Sequence, residues 1–394
     1  GSKTGGAMYS FIQSATIIRT QFNNYWASYV GGALCGSQGV TIRDHCTLKN
    51  NKAKFGGALY AMDMSLDISD SSFIGNYTTD GTVTPYGYGG AISDNKSGSS
   101  LFKIAGCTFD GNSGSSGGAL CLMGSGSGNI YQVERCRFVR NVADGWSGFG
   151  GAVASWTTTG ELKVTNCLLT GNTGASGGAV FLGATSQKAS ITNSTFAQNE
   201  ARYAGGALET WVKTDILNSI VWGNLQWDNY LQPDGRPYYP NGGPYGIYDA
   251  SKTTPGQVTV KYSFVQTGCM ISASQYDANR ALVPGDYWKF LQGNEGNLVL
   301  GAKPDPQFAD PEKCDFSLKP LSPCVDKGTW DGAPGLDLVG NSRPLGNGVD
   351  MGAYEYGITH STTTIPSTTT TSISGSTTST IRSTTTARST TSTT

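Results

Sequence analysis

Two apolar signatures alternate along the first 224 residues. The first is Gly-Gly-Ala followed by an aliphatic residue or Met, and it occurs eight times, beginning at Gly5, Gly31, Gly56, Gly89, Gly117, Gly150, Gly177 and Gly205. The second is an apolar residue with Asn three positions on: Leu48/Asn51, Phe73/Asn76, Phe109/Asn112, Phe138/Asn141, Leu169/Asn172, Phe196/Asn199 and Val221/Asn224. The first period departs, with Tyr25 following Phe22. Two residues before each apolar position stands a small side chain: Thr20, Cys46, Ser71, Cys107, Cys136, Cys167, Ser194 and Ser219. Five before it most periods place Ile17, Ile68, Ile104, Val133, Val164, Ile191 or Ile216, while Ile42 stands one step out and predicts a bulge.

A step of two puts the small residue and the Phe on one face of a strand. The odd step back to the aliphatic requires a corner between them. Asp70, Gly106, Asn166, Asn193 and Asn218 occupy it, types that tolerate positive φ. Helical periodicity is absent. A period of 25 to 33 residues cannot bury a core alone, so periods must stack. The pattern predicts an all-β chain folded as a right-handed parallel β-helix, the hand following from the crossover rule. The Phe, Leu and Val positions fill the tube, Asn turns a corner and stacks amide on amide, and Gly-Gly gives a tight entry. The expected organisation is repeats over 1–224, an aromatic-rich insertion loop over 225–254, a final coil with a small β-rich closing domain over 255–357, and a disordered Ser/Thr-rich stalk over 358–394, open to O-glycosylation.

Composition narrows the function classes. Charged residues are 14% of the chain and the net charge is −1, which leaves no basic stripe for nucleic acid and no polybasic membrane patch. No apolar run is long enough for a membrane span. His45 and His360 are the two histidines, too few for His-based zinc or triad chemistry; His45 reads as a corner residue. Nine cysteines are not a closed disulfide framework. Cys107, Cys136 and Cys167 recur at one position and read as a ladder of small buried hydrophobes. No metal or cofactor is expected.

The alternating tetrapeptides between residues 5 and about 224 resemble the repeats of chlamydial polymorphic outer-membrane proteins, which are β-helical adhesins. "GNLVLGAKPDPQF" (296–308), "SLKPLSPCVDKG" (317–328) and "DLVGNSRPLGNGVDMGAYEYG" (337–357) are similar to the choice-of-anchor type Q domain that closes many secreted bacterial β-helices. That resemblance implies structural rather than catalytic roles for those motifs, in a secreted or surface protein with a downstream tether. Cys314 and Cys324 lie in this region and are candidates for a disulfide. Asn76, Asn95 and Asn193 head sequons and are candidate glycan acceptors.

Loops between each Asn and the next Gly-Gly vary in length and leave the rod at one corner. They carry Tyr25, Trp26, Tyr29, Tyr86, Tyr88, Trp146, Phe149, Tyr203, Trp227, Tyr230, Tyr238 and Tyr239. Loops on a rigid scaffold carry function, and amphipathic aromatics suit sugar faces and protein partners. The expectation is an extracellular or cell-surface adhesin or envelope component that recognises a glycan or a surface protein through this aromatic edge. The bland alternative is that the rings fold back to seal the solenoid. Asp63, Asp67, Asp94, Asp110, Asp144 and Glu209 show no convergent pair and read as solvated surface acids, against a polysaccharide lyase or glycoside hydrolase. A pattern that opens directly on Gly5-Gly6-Ala7 leaves self-association into a filament or layer as a third reading.

Overall fold

The computed structural model describes residues 2–357 apart from the segments 11–13, 38, 80–86, 96, 98–100, 126–127, 145–147, 158–159, 184–186, 228–245, 251–257, 267–269, 273–295 and 301–304. The Ser/Thr-rich segment 358–394 lies outside the described residues, as do Tyr86, Trp146, Tyr230, Tyr238 and Tyr239.

The chain is an all-β parallel solenoid. Each period places one strand in each of three long sheets of ten, nine and ten strands, and most add a strand to a fourth sheet of seven. The glycine sheet holds the strands after Gly-Gly-Ala, from Met8–Ser10 through Leu120–Leu122 to Met270–Ser272. The aliphatic sheet runs from Ala15–Ile18 to Val258–Lys261. The Phe sheet runs from Gln21–Asn23 to Phe264–Gln266 and Leu298–Leu300. The short sheet holds the strands after the Asn, from Lys52–Ala53 to Leu225–Gln226. Equivalent residues pair in register: Phe73 with Phe109, Phe109 with Phe138. Their rings stack at 4.9 and 4.8 Å, tilted by only 11° and 5°. Two small corrections follow. Ile42 pairs with both Ile17 and Ile68, so the extra residue is no strand bulge; it is absorbed in the corner, where Asp44 and His45 are both left-handed. Parts of the expected insertion loop are ordinary rungs, Leu225–Gln226 and Ile247–Asp249. Beyond residue 255, where a final coil is expected, the ladder runs on to Leu298–Leu300.

Two internal ladders explain the signature residues. Each Asn of the Phe-x-x-Asn pattern is buried from Asn51 to Asn224. Its side-chain oxygen accepts both the backbone N–H and the amide of the preceding Asn: Asn112 N and Nδ2 reach Asn141 Oδ1 at 3.0 and 2.9 Å. Its own Nδ2 also donates back to a carbonyl of the preceding rung, as Asn141 does to Phe109 O at 3.0 Å. The residue just before the Asn, not the Asn, makes the turn: Gly75, Gly111, Arg140, Gly171, Gln198 and Gly223 are left-handed. At the other corner, Cys136 N meets Cys167 Sγ at 3.5 Å, Cys167 N meets Ser194 Oγ at 3.1 Å, and Ser194 N meets Ser219 Oγ at 3.2 Å. The cysteines are therefore acceptors in a ladder shared with serine, beyond acting as small hydrophobes. At the Gly-Gly entry, Gly117 is left-handed with φ +65°, and a Cβ on Gly118 would collide with the carbonyl of Gly151 in the next rung.

Residues 305–357 form a small module that packs on the side of the solenoid, not across its end. Phe308, Phe316, Leu318, Cys324, Leu338, Met351, Ala353 and Tyr354 bury against Leu168, Ala197, Ile220 and Phe264, which point outward from the Phe sheet. Corner asparagines hold it. Asn193 Nδ2 donates to Asp350 O at 3.0 Å, Asn218 Nδ2 to Thr329 O at 2.8 Å, and Asn218 Oδ1 accepts Thr329 N at 2.8 Å. Inside the module Arg343 forms a buried ion pair with Glu355, and Asp350 accepts the N–H of Asp326 at 2.7 Å. Burial pushes the Asp350 carboxyl up to about 7. Cys314 and Cys324 are both free thiols, so the candidate disulfide is not formed.

Candidate functional site

The residues before Gly-Gly form a column. Val30, Phe55, Tyr88, Ser116, Phe149 and Ser176 are linked rung to rung by parallel bridges. On the glycine sheet the middle strand residue faces away from the tube, yet Cys35, Tyr60, Cys121 and Phe181 are all buried. The column folds over them. Phe55 lies 6.4 Å from Tyr60, and Phe149 lies 4.5 Å from Phe181 and 4.9 Å from Trp156. The Trp156 indole N–H donates to Ser116 Oγ at 3.0 Å. Phe55, Tyr88 and Phe149, half-buried in this seam, thus seal the solenoid, as the bland reading had it. Trp156 was not singled out in the sequence, although Trp211 repeats its offset from Gly-Gly-Ala.

Other edge aromatics remain open. Trp26 and Tyr29 are 49% and 52% exposed and Trp227 is 53% exposed, with Tyr25 at 39%. Tyr29 also meets Phe55 edge-on at 5.3 Å. Tyr203 is half-buried, with the Arg202 guanidinium 5.9 Å from its ring centre. Among the described residues the edge aromatics do not form one ridge: an open group lies around Trp26 and another exposed ring is Trp227.

Trp227 flanks a groove of about 570 Å³ on the outer side of the short sheet. Small residues, Ala143, Gly174, Ala175 and Ala201, form its floor; Asp144, Glu200 and Arg202 supply its charge. The Trp227 indole N–H donates to Glu200 Oε2 at 3.3 Å, and Asp144 Oδ2 accepts the Ser113 hydroxyl at 3.4 Å. Backbone geometry creates the floor, because Ala143 and Ala201 turn their side chains inward. Spacing gave no sign that Asp144 and Glu200 line one groove, since 56 residues separate them. Trp146 follows Asp144 in sequence but lies outside the described residues.

Two acids read as solvated are buried. Asp94 accepts the Tyr131 hydroxyl at 2.9 Å and Met123 N at 2.7 Å. Glu209 sits in the sealed seam, where burial pushes its carboxyl up to about 7 while Trp211 and Ser176 pull the other way. The Trp211 indole N–H reaches Glu209 Oε1 at 3.0 Å. Two sequon asparagines are corrected as well. Asn76 and Asn193 are fully buried with their amides hydrogen-bonded, so neither nitrogen is open to a glycan in the folded chain. Asn95 is exposed.

Among the described residues no group of three or more His, Cys, Asp or Glu is placed to hold a metal ion, and no helix is long and apolar enough to cross a membrane. Fold and site define the class: a parallel β-solenoid with a laterally packed C-terminal module. Comparison with protein-family models, with curated proteins and with solved structures finds no match for this chain.

Proposed function

We propose that this is an extracellular or cell-surface β-solenoid that recognises a glycan or a surface protein through the short-sheet edge. The groove beside Trp227 carries the reading. It joins an exposed indole, two carboxylates and a guanidinium over a floor of small residues, the mix of apolar platform and fixed polar groups that suits a sugar or a peptide. The resemblance of the tetrapeptide repeats to chlamydial polymorphic outer-membrane proteins supports an adhesive role, and that of residues 296–357 to choice-of-anchor domains supports tethering at a cell surface. The test is binding of the purified chain to a glycan array and to cells. Trp227→Ala and Trp26→Ala should weaken capture while leaving the circular dichroism spectrum unchanged; undiminished capture by both variants overturns the edge as the binding surface.

One observation favours a second reading. Asp144 and Glu200 line the same groove, and paired carboxylates are the machinery of glycoside hydrolysis. Release of new reducing or unsaturated ends from neutral glycans or uronates, lost in Glu200→Gln, would make the groove an active site.

A further inference from the structure

We propose that the cleft between the Phe sheet and the C-terminal module is a second binding site, for a neutral oligosaccharide. The cleft encloses about 560 Å³, inside the range of small-molecule sites, about 300–1,000 Å³. The solenoid contributes Trp222 and Gln198; the module contributes Asp305, Gln307, Phe308 and Lys319.

The aromatic platform is fixed. Trp222 is half-exposed and braced against buried Phe264, with ring centres 5.3 Å apart. The polar groups around it are unspent. Among the described residues the side-chain amides of Gln198 and Gln307 and the ammonium of Lys319 make no hydrogen bond, and Asp305 uses one carboxylate oxygen, Oδ1, on Gln307 N at 2.9 Å. Both glutamines stand on left-handed backbone, φ +56° and +52°. Gln198 holds the turn position that Asn50, Gly75, Gly111, Arg140, Gly171 and Gly223 hold in other periods, and of these only Gln198 and Gly223 line the cleft.

The chemistry selects the ligand. One carboxylate and one ammonium cancel, so neither a polyanion nor a cation is favoured. A wholly apolar ligand would desolvate Gln198, Gln307, Asp305 and Lys319 without repayment in hydrogen bonds. A neutral pyranose offers an apolar C–H face to the indole and hydroxyls that both donate and accept. This site uses a different sheet from the Trp227 groove and shares no residue with it.

The test is calorimetric titration of the full chain with cellotetraose, mannotetraose and chitotetraose. At least one should bind in the micromolar to millimolar range. Gln198→Gly and Gln307→Gly keep the left-handed backbone and remove the amide, and Lys319→Ala alters an exposed side chain; each should weaken binding by about tenfold, the usual scale of one hydrogen bond to a charged or well-placed partner. Trp222→Leu should abolish it, with folding checked by circular dichroism. The titrations are run in the Trp227→Ala background, so that any heat from the edge groove is removed and the cleft is read alone. No binding by any of the three sugars up to millimolar concentration in that background overturns the proposal. So does binding there that survives the glutamine, lysine and Trp222 variants, or a neutral peptide that occupies the cleft in their place.

Discussion

The two corners of the Phe sheet are closed in different ways. At the Asn corner every rung satisfies its neighbour. Asn51 through Asn224 pass one hydrogen-bond pattern along the axis with no outside help. At the opposite corner, Asn166, Asn193 and Asn218 point out of the tube and are satisfied by Leu336, Asp350 and Thr329 of the module. The first corner is a repeat solving its own problem. The second is a repeat solved by a segment more than a hundred residues downstream. A solenoid can thus be periodic inside and singular outside, and its specific features gather where the period is broken.

Breaking the self-sufficient corner should cost most. Asn141→Ala strips the acceptor from Asn112 N and Nδ2 and the donor from Phe109 O. Each buried group left unsatisfied costs about 1–3 kcal/mol, so the loss should exceed that of any surface change, about 4 kcal/mol or more. Hydrogen exchange should show the protection lost first in the rungs on either side. Gly118→Val belongs to the same class, because the new Cβ meets the Gly151 carbonyl; the variant should fail to give soluble folded protein.

The borrowed corner should fail locally. Arg343→Met leaves Glu355, fully buried, without its ion partner. Breaking one half of a buried pair costs about 3–5 kcal/mol. Proteolysis should then cut within residues 305–357 while the Phe-sheet rungs stay protected. Loss of protection along the whole solenoid would show that the module is a structural necessity instead of an attachment.

A pH titration separates the seam from the module, because both hold carboxyls raised by burial: Glu209 in the seam and Asp350 in the module, both to about 7, with Glu355 beside Asp350 also raised. A raised folded-state value means that the folded chain holds the proton more tightly than the unfolded chain. The stabilisation is full below the unfolded value and is lost as pH rises toward 7. For Glu209, raised from 4.5 to about 7, the loss is about 3 kcal/mol at most. Protection of the rungs near Glu209 should fall between pH 5 and pH 7, and Glu209→Gln should flatten that slope without touching the module. Asp350→Asn should reduce the module's slope, leaving the part that Glu355 contributes, without touching the seam.

The smallest effect on stability belongs to the edge. Trp227 is 53% exposed and donates one long hydrogen bond to Glu200. Trp227→Ala should change the urea midpoint by less than about 0.5 kcal/mol of stability, while the binding assay should change most. That inversion separates a recognition residue from a sealing one, and Phe149→Ala, with its ring 4.5 Å from Phe181, should behave the opposite way.

The solenoid was legible because its grammar is local. Phe109 and Asn112 sit at one spacing in each period, and stacking follows from repetition. The candidate site was legible only in part. The variable loops marked the edge along which the Trp227 groove lies, but Phe55, Tyr88 and Trp227 look alike in sequence. Whether a ring turns into the seam or out to solvent depends on what fills the neighbouring rung: Tyr60 draws Phe55 inward, and among the described residues no ring packs on Trp227. Sequon grammar misled for Asn76 for the same reason, since the tripeptide does not record that its amide is already held in a ladder.

By itself the sequence determined the parallel stacking, the residues inside the tube and the glycine entry, because each is enforced by contacts between copies of one period. Tertiary structure alone decided the rest. It laid the 305–357 module along the flank, it set Asp144 and Glu200 on one groove and Trp222 and Gln307 on one cleft, and it raised the Glu209 carboxyl. Those outcomes rest on pairs that occur once in the chain, and a single occurrence leaves no period to read.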